Sequence, residues 1–375
     1  MLRKKTFYLL FLILFLFSFS LCSNAVDISA SSAIVVNADT FEVVYEKSAH
    51  EKRSMASTTK IMTSLLAIES GKLDETVTVN EKMSGIEGTS IGLKVGYKIK
   101  LRDLVYSMLL ESGNDAAVAT AVYLSGSEQA FSEKMNEKAK SIGMTATNFV
   151  TASGLDDEAH YTCAYDMAML AIAAINNPVF CEICSQKQYT FDYVSPEMRY
   201  TLSNHNRLLR TVEGVFGIKT GFTKKSGRCL VTAIERNGFT FVVVTLNAPN
   251  DWNDHKKLFD YAFDNTQTET VSPELPEYIS VQGGLTNKLF IESIGFDVAV
   301  LNKNSELTSK TYLPQFVYAP IKKGDILGKC EIYYEERLIK TFDITASADI
   351  DSIEETYIAK KSLIEKIKEI LFKNR

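Results

Sequence analysis

The chain has 375 residues, long enough for two domains, and 46% of them are hydrophobic and 23% charged, as in ordinary globular proteins. This composition excludes an intrinsically disordered chain. The formal net charge is −5 and no basic run crosses the middle of the sequence, which argues against nucleic acid as a partner.

Residues 1–25 have the pattern of a secretory signal peptide. Residues 1–5 contain three basic side chains, residues 7–21 are almost wholly apolar, and small residues at 23 and 25 suit cleavage after Ala25. A retained membrane anchor is the alternative, but the apolar run is short for a spanning helix. Cys22 suggests a lipoprotein, whose processing the bulky Leu21 disfavours. Cleavage removes Arg3, Lys4 and Lys5 and takes the formal charge from −5 to −8.

Two short strands are predicted at residues 32–37 and 42–46, on either side of a turn at 38–40. The next element is a predicted helix that opens with Ala56-Ser57-Thr58-Thr59-Lys60 and stops at Gly71. Ser57 and Lys60 are three residues apart, so a helix places the hydroxyl and the amine on one face. The free N–H groups and the positive dipole at the start of a helix also favour a nucleophile there.

An S-x-x-K pair can perform nucleophilic catalysis if the lysine is uncharged. A serine hydroxyl is a poor nucleophile at neutral pH and needs a base to accept its proton. Lysine is such a base only when burial or a second cation lowers its pKa well below the free value. Lys219, in Lys219-Thr220-Gly221, is the candidate second cation. A single S-x-x-K is more often a solvated helix face, so the motif carries weight only together with the others.

A second motif, Ser112-Gly113-Asn114, lies between a predicted helix at residues 101–110 and another at 115–121. A loop between two helices can direct Ser112 and Asn114 into a cleft. Further along, residues 128–141 are predicted to be helical, and the strongly apolar residues 165–175 are expected to be buried.

A possible nucleophile elbow, G-x-S-x-G, occurs at Gly88-Thr89-Ser90-Ile91-Gly92. That elbow requires a hydrophobic strand before it and a helix after it. Neither flank fits, and we interpret the match as a coincidence.

Strands are predicted at residues 214–220, 229–234 and 239–246, with Asn237-Gly238 as the hairpin turn between the last two. A helix is predicted at residues 254–263. Helices in the middle and strands at both ends predict an α+β domain, residues 26–267, whose termini meet in one sheet.

Near residues 266–276 the sequence pattern changes to short strand-like runs separated by turns. This pattern predicts a small antiparallel β domain at residues 272–350. Its strands are expected at 278–281, 296–301, 315–318, 326–334 and 338–344. Residues 355–375 predict an amphipathic helix, and from Ala359 onward six Lys or Arg against two Glu give a local charge of +4. Such a helix suits an anionic membrane surface. Packing of the helix on the body or on a partner protein is the alternative.

Five cysteines lie after the signal peptide, an odd number without a disulfide-like pattern. Cys181 and Cys184 form a C-x-x-C, but no second pair or histidine completes a zinc site. We therefore expect buried free thiols. Few cysteines in an exported protein favour a Gram-positive cell surface.

With these residues in view, the sequence resembles the low-molecular-weight penicillin-binding proteins that act as serine-type D-alanyl-D-alanine carboxypeptidases. The likeness includes the S-x-x-K, S-x-N and K-T-G motifs in that order. Gly154-Leu155-Asp156 and His160-Tyr161 also match a family segment. The resemblance implies a β-lactamase/transpeptidase-like catalytic domain, in which helices flank an antiparallel sheet and form a helical subdomain. The small all-β domain and the amphipathic helix come after it.

The resemblance also implies a reaction. Ser57 attacks the carbonyl between the two terminal D-alanines of a peptidoglycan stem peptide, Lys60 is the general base, and Ser112 relays the proton to the leaving amine. Backbone N–H groups of Ser57 and Phe222 form the oxyanion hole. Lys219 keeps Lys60 neutral, penicillins acylate Ser57, and no metal or other cofactor is needed. The residues implied to bind the substrate are Asn114, Lys219, Thr220 and Gly221.

Some details are specific to this chain. Phe222 stands where some members have His, which a backbone role tolerates. Some members place an arginine beyond the following strands to grip the substrate carboxylate, whereas residues 247–252 contain none. Gly221 is expected to let a substrate strand lie against its edge. His160 is expected to be structural, because the mechanism needs no imidazole.

Two other functions stay open. A class A β-lactamase shares the three motifs but needs a glutamate to activate the deacylating water, and no Glu-x-x-x-Asn loop lies between Asn114 and Lys219. A non-catalytic cell-wall-binding protein could use the β domain and the tail, although the intact motifs argue against it. The favoured interpretation is an exported enzyme at the outer face of the cytoplasmic membrane or in the cell wall.

Overall fold

A computed structural model describes residues 26–292, 295–300 and 306–373 of the chain. The predicted signal peptide lies outside the described residues. The described chain divides into two compact units. The first is built from residues 26–36, 45–235 and 241–264, and the second from residues 37–44, 236–240 and the described part of 265–373.

A five-stranded sheet, in the order β2-β1-β9-β8-β7, joins strands from both ends of the predicted catalytic domain. The prediction that these ends meet in one sheet is therefore confirmed. The chain's first nine strands are β1 (Ser32–Asn37), β2 (Val43–Lys47), β3 (Thr76–Thr78), β4 (Lys98–Lys100), β5 (Gln188–Asp192), β6 (Arg199–Ser203), β7 (Val215–Thr223), β8 (Gly227–Arg236) and β9 (Phe239–Leu246).

Helices provide the rest of the first unit, and the apolar first helix packs against the third and fifth. A 3₁₀ turn, Ala56–Thr59, precedes the first helix, and a π-helical segment, Ser107–Glu111, comes after the second. The helices are α1 (Lys60–Glu69), α2 (Leu101–Tyr106), α3 (Asn114–Ser125), α4 (Glu128–Ser141), α5 (Ala164–Ile175), α6 (Pro178–Cys184), α7 (Leu208–Thr211) and α8 (Asp251–Asp264).

Helix α8 is fastened to the sheet by a buried histidine. His255 Nδ1 hydrogen-bonds Thr232 Oγ1 of β8 at 2.8 Å, and Nε2 hydrogen-bonds Thr245 Oγ1 of β9 at 2.9 Å. Burial lowers the pKa of His255 to about 3, so the ring is neutral and both nitrogens have a partner. This contact fixes the start of α8 against β8 and β9, next to edge strand β7.

In the first unit the sequence patterns missed several short elements, namely α6, α7 and the pairs β3–β4 and β5–β6. The β5–β6 hairpin owes its position to aromatic packing, since Tyr189 stacks on Tyr106 with ring centroids 3.5 Å apart and its hydroxyl donates to Asp103 at 2.9 Å. Contacts of this kind between remote residues leave no periodic signal in the sequence.

The second unit is a small β domain, as predicted, but it is not wholly antiparallel. β11 pairs with β15 in parallel, with Ser280 opposite Phe316. Parallel pairing is possible because a long stretch of chain separates the two strands. The strands are β10 (Gln267–Val271), β11 (Tyr278–Gln282), β12 (Lys288–Phe290), β13 (Phe296–Val300), β14 (Leu307–Tyr312), β15 (Phe316–Tyr318), β16 (Ile326–Tyr334) and β17 (Arg337–Thr345).

The tail forms helix α9 (Ile353–Lys373). Leu363, Ile364 and Ile367 are each about half exposed on it. In the described part of the chain, no single helix combines the length and apolar character needed to cross a membrane, although the bent pair α5–α6 meets that test by length and composition. The five cysteines after the signal peptide are free thiols, and all but Cys181 are buried.

Candidate active site

The predicted nucleophile lies on the Ser57 turn, our name for the 3₁₀ turn Ala56–Thr59, which runs directly into α1. Ala56 has a φ of +48°, a left-handed conformation that alanine seldom adopts. Thr58 and Thr59 each donate a side-chain hydrogen bond to the carbonyl three residues earlier, at 2.6 and 2.8 Å. Local hydrogen bonds therefore hold a strained backbone at the serine.

His160 supports this turn from a distant loop. Its Nδ1 accepts the backbone N–H of Val150 at 2.9 Å, so Nε2 carries the proton and donates to Thr59 Oγ1 at 2.8 Å. Burial lowers the pKa of His160 to about 4, which keeps the ring neutral near pH 7. This arrangement agrees with the expected structural role of His160.

Lys60 Nζ lies at the centre of the site and has three oxygen neighbours. Ser57 Oγ is 2.9 Å away, Asn114 Oδ1 is 2.7 Å away, and the backbone carbonyl of Ser153 is 2.6 Å away. The lysine side chain is fully buried. The predicted contact between Ser57 and Lys60 is thus present, and Asn114 binds the same amine.

The three oxygen neighbours can satisfy the amine in either protonation state, and it is burial without a hydrogen-bonded carboxylate among the described residues that favours the uncharged form. Two of them, the Asn114 and Ser153 carbonyl oxygens, can only accept, so they take the two N–H bonds of a neutral amine. In that neutral form the remaining lone pair is available to the Ser57 hydroxyl, whose oxygen accepts from Nζ when the amine is protonated. Burial lowers the pKa of Lys60 well below its ordinary value of 10.5, the charge of Lys219 lowers it further, and the Asp115 carboxylate acts in the opposite direction.

The S-x-N motif is placed by an unusual helix end. The π-helical segment stops at Ser112, whose φ of +67° turns the chain, and Asn114 begins α3. Asn114 is held at both ends, because its backbone N–H donates to Thr89 O at 2.7 Å and its Nδ2 donates to Glu87 O at 2.8 Å. The Ser112 hydroxyl makes no hydrogen bond to Ser57 or Lys60 within the described residues.

The K-T-G motif lies on edge strand β7, which packs against the Ser57 turn. Lys219 is buried, its Nζ donates to Thr220 O at 2.9 Å, and burial lowers its pKa to about 7. A Cβ on Gly221 would lie 3.1 Å from the backbone nitrogens of Ser57 and Thr58. The missing side chain of Gly221 therefore lets β7 approach Ser57 closely, and the expected role of admitting a substrate strand stays a prediction.

An open cavity of about 530 Å³ joins these motifs. Phe222, on its rim, is 64% exposed. Asn114, Lys60 and Lys219 lie behind the lining rather than in it. Within the described ranges, no cluster of three or more His, Cys, Asp or Glu side chains is placed to hold a metal ion. The predicted site residues that line the cavity are Ser57, Ser112, Thr220, Gly221 and Phe222.

Two groups that shape this site were not found by the sequence analysis, the Ser153 carbonyl and the Asp115 carboxylate. The Ser153 carbonyl is a backbone group and has no residue signature, although the neighbouring Gly154 belongs to a matched family segment. Asp115 accepts hydrogen bonds from Ser90 Oγ at 2.6 Å and from the backbone N–H groups of Ile91 and Leu93 at 3.1 and 2.9 Å. It therefore fastens the loop that carries Thr89, and Ser90 of the apparent nucleophile elbow is one of its partners.

Comparison with protein families gives two matches. The model described as D-alanyl-D-alanine carboxypeptidase, Peptidase_S11, matches residues 20–250. The model described as penicillin-binding protein 5, C-terminal domain, matches residues 293–352.

Individual proteins are similar over most of the chain. D-alanyl-D-alanine carboxypeptidase DacF of Bacillus subtilis is 30% identical over 336 residues, which cover 86% of each chain. The crystal structure of D-alanyl-D-alanine carboxypeptidase DacD from Francisella tularensis has a TM-score of 0.63 at 28% identity, covering 87% of this chain and 94% of that one. Penicillin binding protein 5 from Haemophilus influenzae has a TM-score of 0.62 at 26% identity, covering 87% and 98%.

The contact between Gly154 and the Ser57 turn can be tested by adding one methyl group. In Gly154→Ala the new Cβ would lie 2.0 Å from Ala56 O, at a φ of +83°. Gly143→Ala is the matched control, with a φ of +82° and no atom within 4 Å. We expect the control to lose about 1 kcal/mol of unfolding free energy and Gly154→Ala to lose at least about 2 kcal/mol more, measured by urea denaturation. Equal losses would contradict the close packing.

Proposed function

The chain belongs to the D-alanyl-D-alanine carboxypeptidase family, and from this membership and the contacts of Lys60 we infer that Ser57 is the nucleophile of a serine-type peptidase. The enzyme removes the terminal D-alanine from peptidoglycan stem peptides and binds penicillin. Among the functions that the sequence left open, the family match selects the carboxypeptidase. The roles of individual residues are our proposal.

Acylation begins at the Ser57 hydroxyl. Its Oγ bonds to the carbonyl carbon of the penultimate D-alanine while its proton passes to the lone pair of Lys60 Nζ, 2.9 Å away. The backbone N–H groups of Ser57 and Phe222 stabilise the oxyanion that forms. The Ser57 N–H suits this role because it is in the first turn of a helical segment, where such groups have no intrahelical partner.

Collapse of the tetrahedral intermediate breaks the bond to the leaving D-alanine. Its amine needs a proton, which Lys60 now carries and which the Ser112 hydroxyl relays. Ser112 lines the cavity together with Ser57, which supports this role. Water then attacks the acyl-enzyme, Lys60 accepts its proton, and the Ser57 hydroxyl is restored.

The four residues predicted to bind substrate, Asn114, Lys219, Thr220 and Gly221, have different roles in this proposal, and Thr220 is the one that contacts the substrate. Asn114 positions Lys60 through the 2.7 Å contact, and Gly221 admits β7 to the site. Thr220 lines the cavity and hydrogen-bonds the terminal carboxylate. Lys219 supplies positive charge behind it, and a bound carboxylate raises the pKa of Lys219 from about 7, so that substrate keeps this lysine charged.

The observation that carries the proposal is the set of partners around Lys60 Nζ. A lysine in an ordinary ion pair would have a carboxylate next to it. Here the fully buried amine contacts two carbonyl oxygens and one hydroxyl, and no described carboxylate hydrogen-bonds it, so no ion pair keeps the proton on the amine.

Release of D-alanine from a synthetic stem pentapeptide tests the function directly. The purified protein without residues 1–25 should release one equivalent, and labelled penicillin should form a covalent adduct that outlasts the assay. Ser57→Ala should abolish both, because Ser57 supplies the hydroxyl that contacts the buried amine. Ser64→Ala, a buried serine of α1 outside the site, is the control and should keep both activities. Rapid penicillin turnover without D-alanine release would indicate a β-lactamase instead.

We propose further that residues 1–25 direct export and are cleaved, that residues 26–267 carry catalysis, and that residues 272–350 are a separate β domain. A cell-wall substrate supports a location at the outer face of the cytoplasmic membrane or in the wall. The proposed membrane contact is the amphipathic helix of residues 355–375, because exposed apolar side chains share this segment with a local charge of +4.

Vesicle binding by the exported chain tests the tail. Ile364→Asp places a charge among the exposed apolar residues of α9, whereas Ser362→Asp places the same charge two residues away, on the opposite side of the helix. We expect Ile364→Asp to reduce cosedimentation with anionic phosphatidylglycerol vesicles at least about fivefold and Ser362→Asp to reduce it less than about twofold. Equal binding by both variants would show that the apolar face does not enter the membrane.

A further inference from the structure

We propose that Arg228, held by Asp251 and Trp252, binds the terminal carboxylate of the substrate beside Thr220. This inference rests on the proposed function and deepens it. A carboxypeptidase must distinguish a chain end from an internal peptide bond, and the feature that marks a chain end is the carboxylate. Residues 247–252 contain no arginine, but they pack against one that another strand supplies.

Strand register places Arg228 on the correct side of the site. Arg228 of β8 is directly opposite Phe222 of β7, so the two side chains project to the same face of the sheet. Thr220 is two residues from Phe222 and shares that face. Diagonal neighbours of this kind are about 7–8 Å apart, within reach of an arginine side chain. Arg228, Thr220 and Ser57 all line the one cavity.

The guanidinium is held before any ligand arrives. Its Nε and Nη2 lie 3.0 and 2.9 Å from a single oxygen, Oδ1 of Asp251, which is buried. The Trp252 ring lies beside the guanidinium, with the ring centroid 5.5 Å from Cζ. Among the described residues Nη1 has no hydrogen-bond partner. The arginine is thus fixed along one edge and keeps donors for a carboxylate along the other.

The backbone of this segment is fastened to the same strand. Ala248 N–H donates to Arg228 O at 2.8 Å. Gly227 lies so close to Asn247 that a Cβ there would be 2.3 Å from Asn247 Oδ1. These contacts fix Arg228 and the segment 247–252 that contacts it. The conformational entropy of the Arg228 side chain is therefore lost on folding and not on substrate binding.

A second arginine, Arg207, also lines the cavity, and it is the competing candidate. Its side chain is exposed and makes no hydrogen bond within the described residues. An unrestrained guanidinium must lose side-chain entropy when it binds, which makes it the weaker choice.

A pair of substrates that differ only at the terminal carboxylate distinguishes lost carboxylate recognition from a general loss of enzyme activity. One substrate is an acylated peptide ending in D-Ala-D-Ala, and the other is the same peptide ending in D-alaninamide; release of D-alanine or of D-alaninamide is measured. Arg228→Gln should lower kcat/KM for the acid at least about tenfold, mainly through KM, and change kcat/KM for the amide less than about twofold. Activity on the amide reports that the variant is folded.

Two further variants complete the test. Arg199→Gln removes a surface arginine that contacts Asp192 through Nε and Nη2 at 2.9 and 3.0 Å and does not line the cavity, so it should change neither substrate. Equal losses on both substrates in Arg228→Gln, or a selective loss in Arg207→Gln instead, would overturn the assignment. Wild-type protein that releases D-alanine while Arg228→Gln keeps full preference for the acid overturns only this inference. Wild-type protein that releases none overturns the proposed function as well.

Discussion

The buried amine of Lys60 is the group on which the rest of the site depends. A lysine at this depth is stable only if it is neutral or paired with a negative charge. Its three hydrogen-bond neighbours are a hydroxyl and two carbonyl oxygens, none of them charged, and burial lowers the pKa of Lys60 so that the neutral form is favoured. In the proposed mechanism this neutral amine is the general base, and its lone pair accepts the proton of the Ser57 hydroxyl 2.9 Å away. Burial of the amine is therefore the condition for its proposed catalytic role.

Close packing explains how three remote segments reach this amine. The backbone of the Ser57 turn is strained at Ala56. A Cβ on Gly154 would collide with the backbone of this turn, and a Cβ on Gly221 of β7 would make a tight contact with it. Glycine at positions 154 and 221 therefore allows the Gly154 loop and β7 to come close to the Ser57 turn. Strain of this kind persists only where the surrounding structure enforces it, and the hydrogen bonds from Thr58, Thr59 and His160 supply that support.

Features that depend on local periodicity were predictable from the sequence, whereas those that depend on contacts between distant backbone segments were not. The spacing of Ser57 and Lys60 is enough to place them together on a helical turn, and the order of the three motifs identified their partners. The Ser153 carbonyl could not be found, because every residue has one. The parallel pairing of β11 with β15 and the β5–β6 hairpin depend on contacts between distant residues, for which a single sequence carries no periodic signal. Arg228 was overlooked because its role depends on strand register.

The most direct test of the central claim is the pH dependence of Ser57 acylation by penicillin in the wild type and in Lys219→Gln. A neutral Lys60 requires the acid limb of the rate profile to lie well below the ordinary lysine value of 10.5. Lys219 lowers the pKa of Lys60, so its removal should raise that pKa and move the acid limb to higher pH. A wild-type limb near pH 10.5, or a limb that stays in place in Lys219→Gln, would contradict the account.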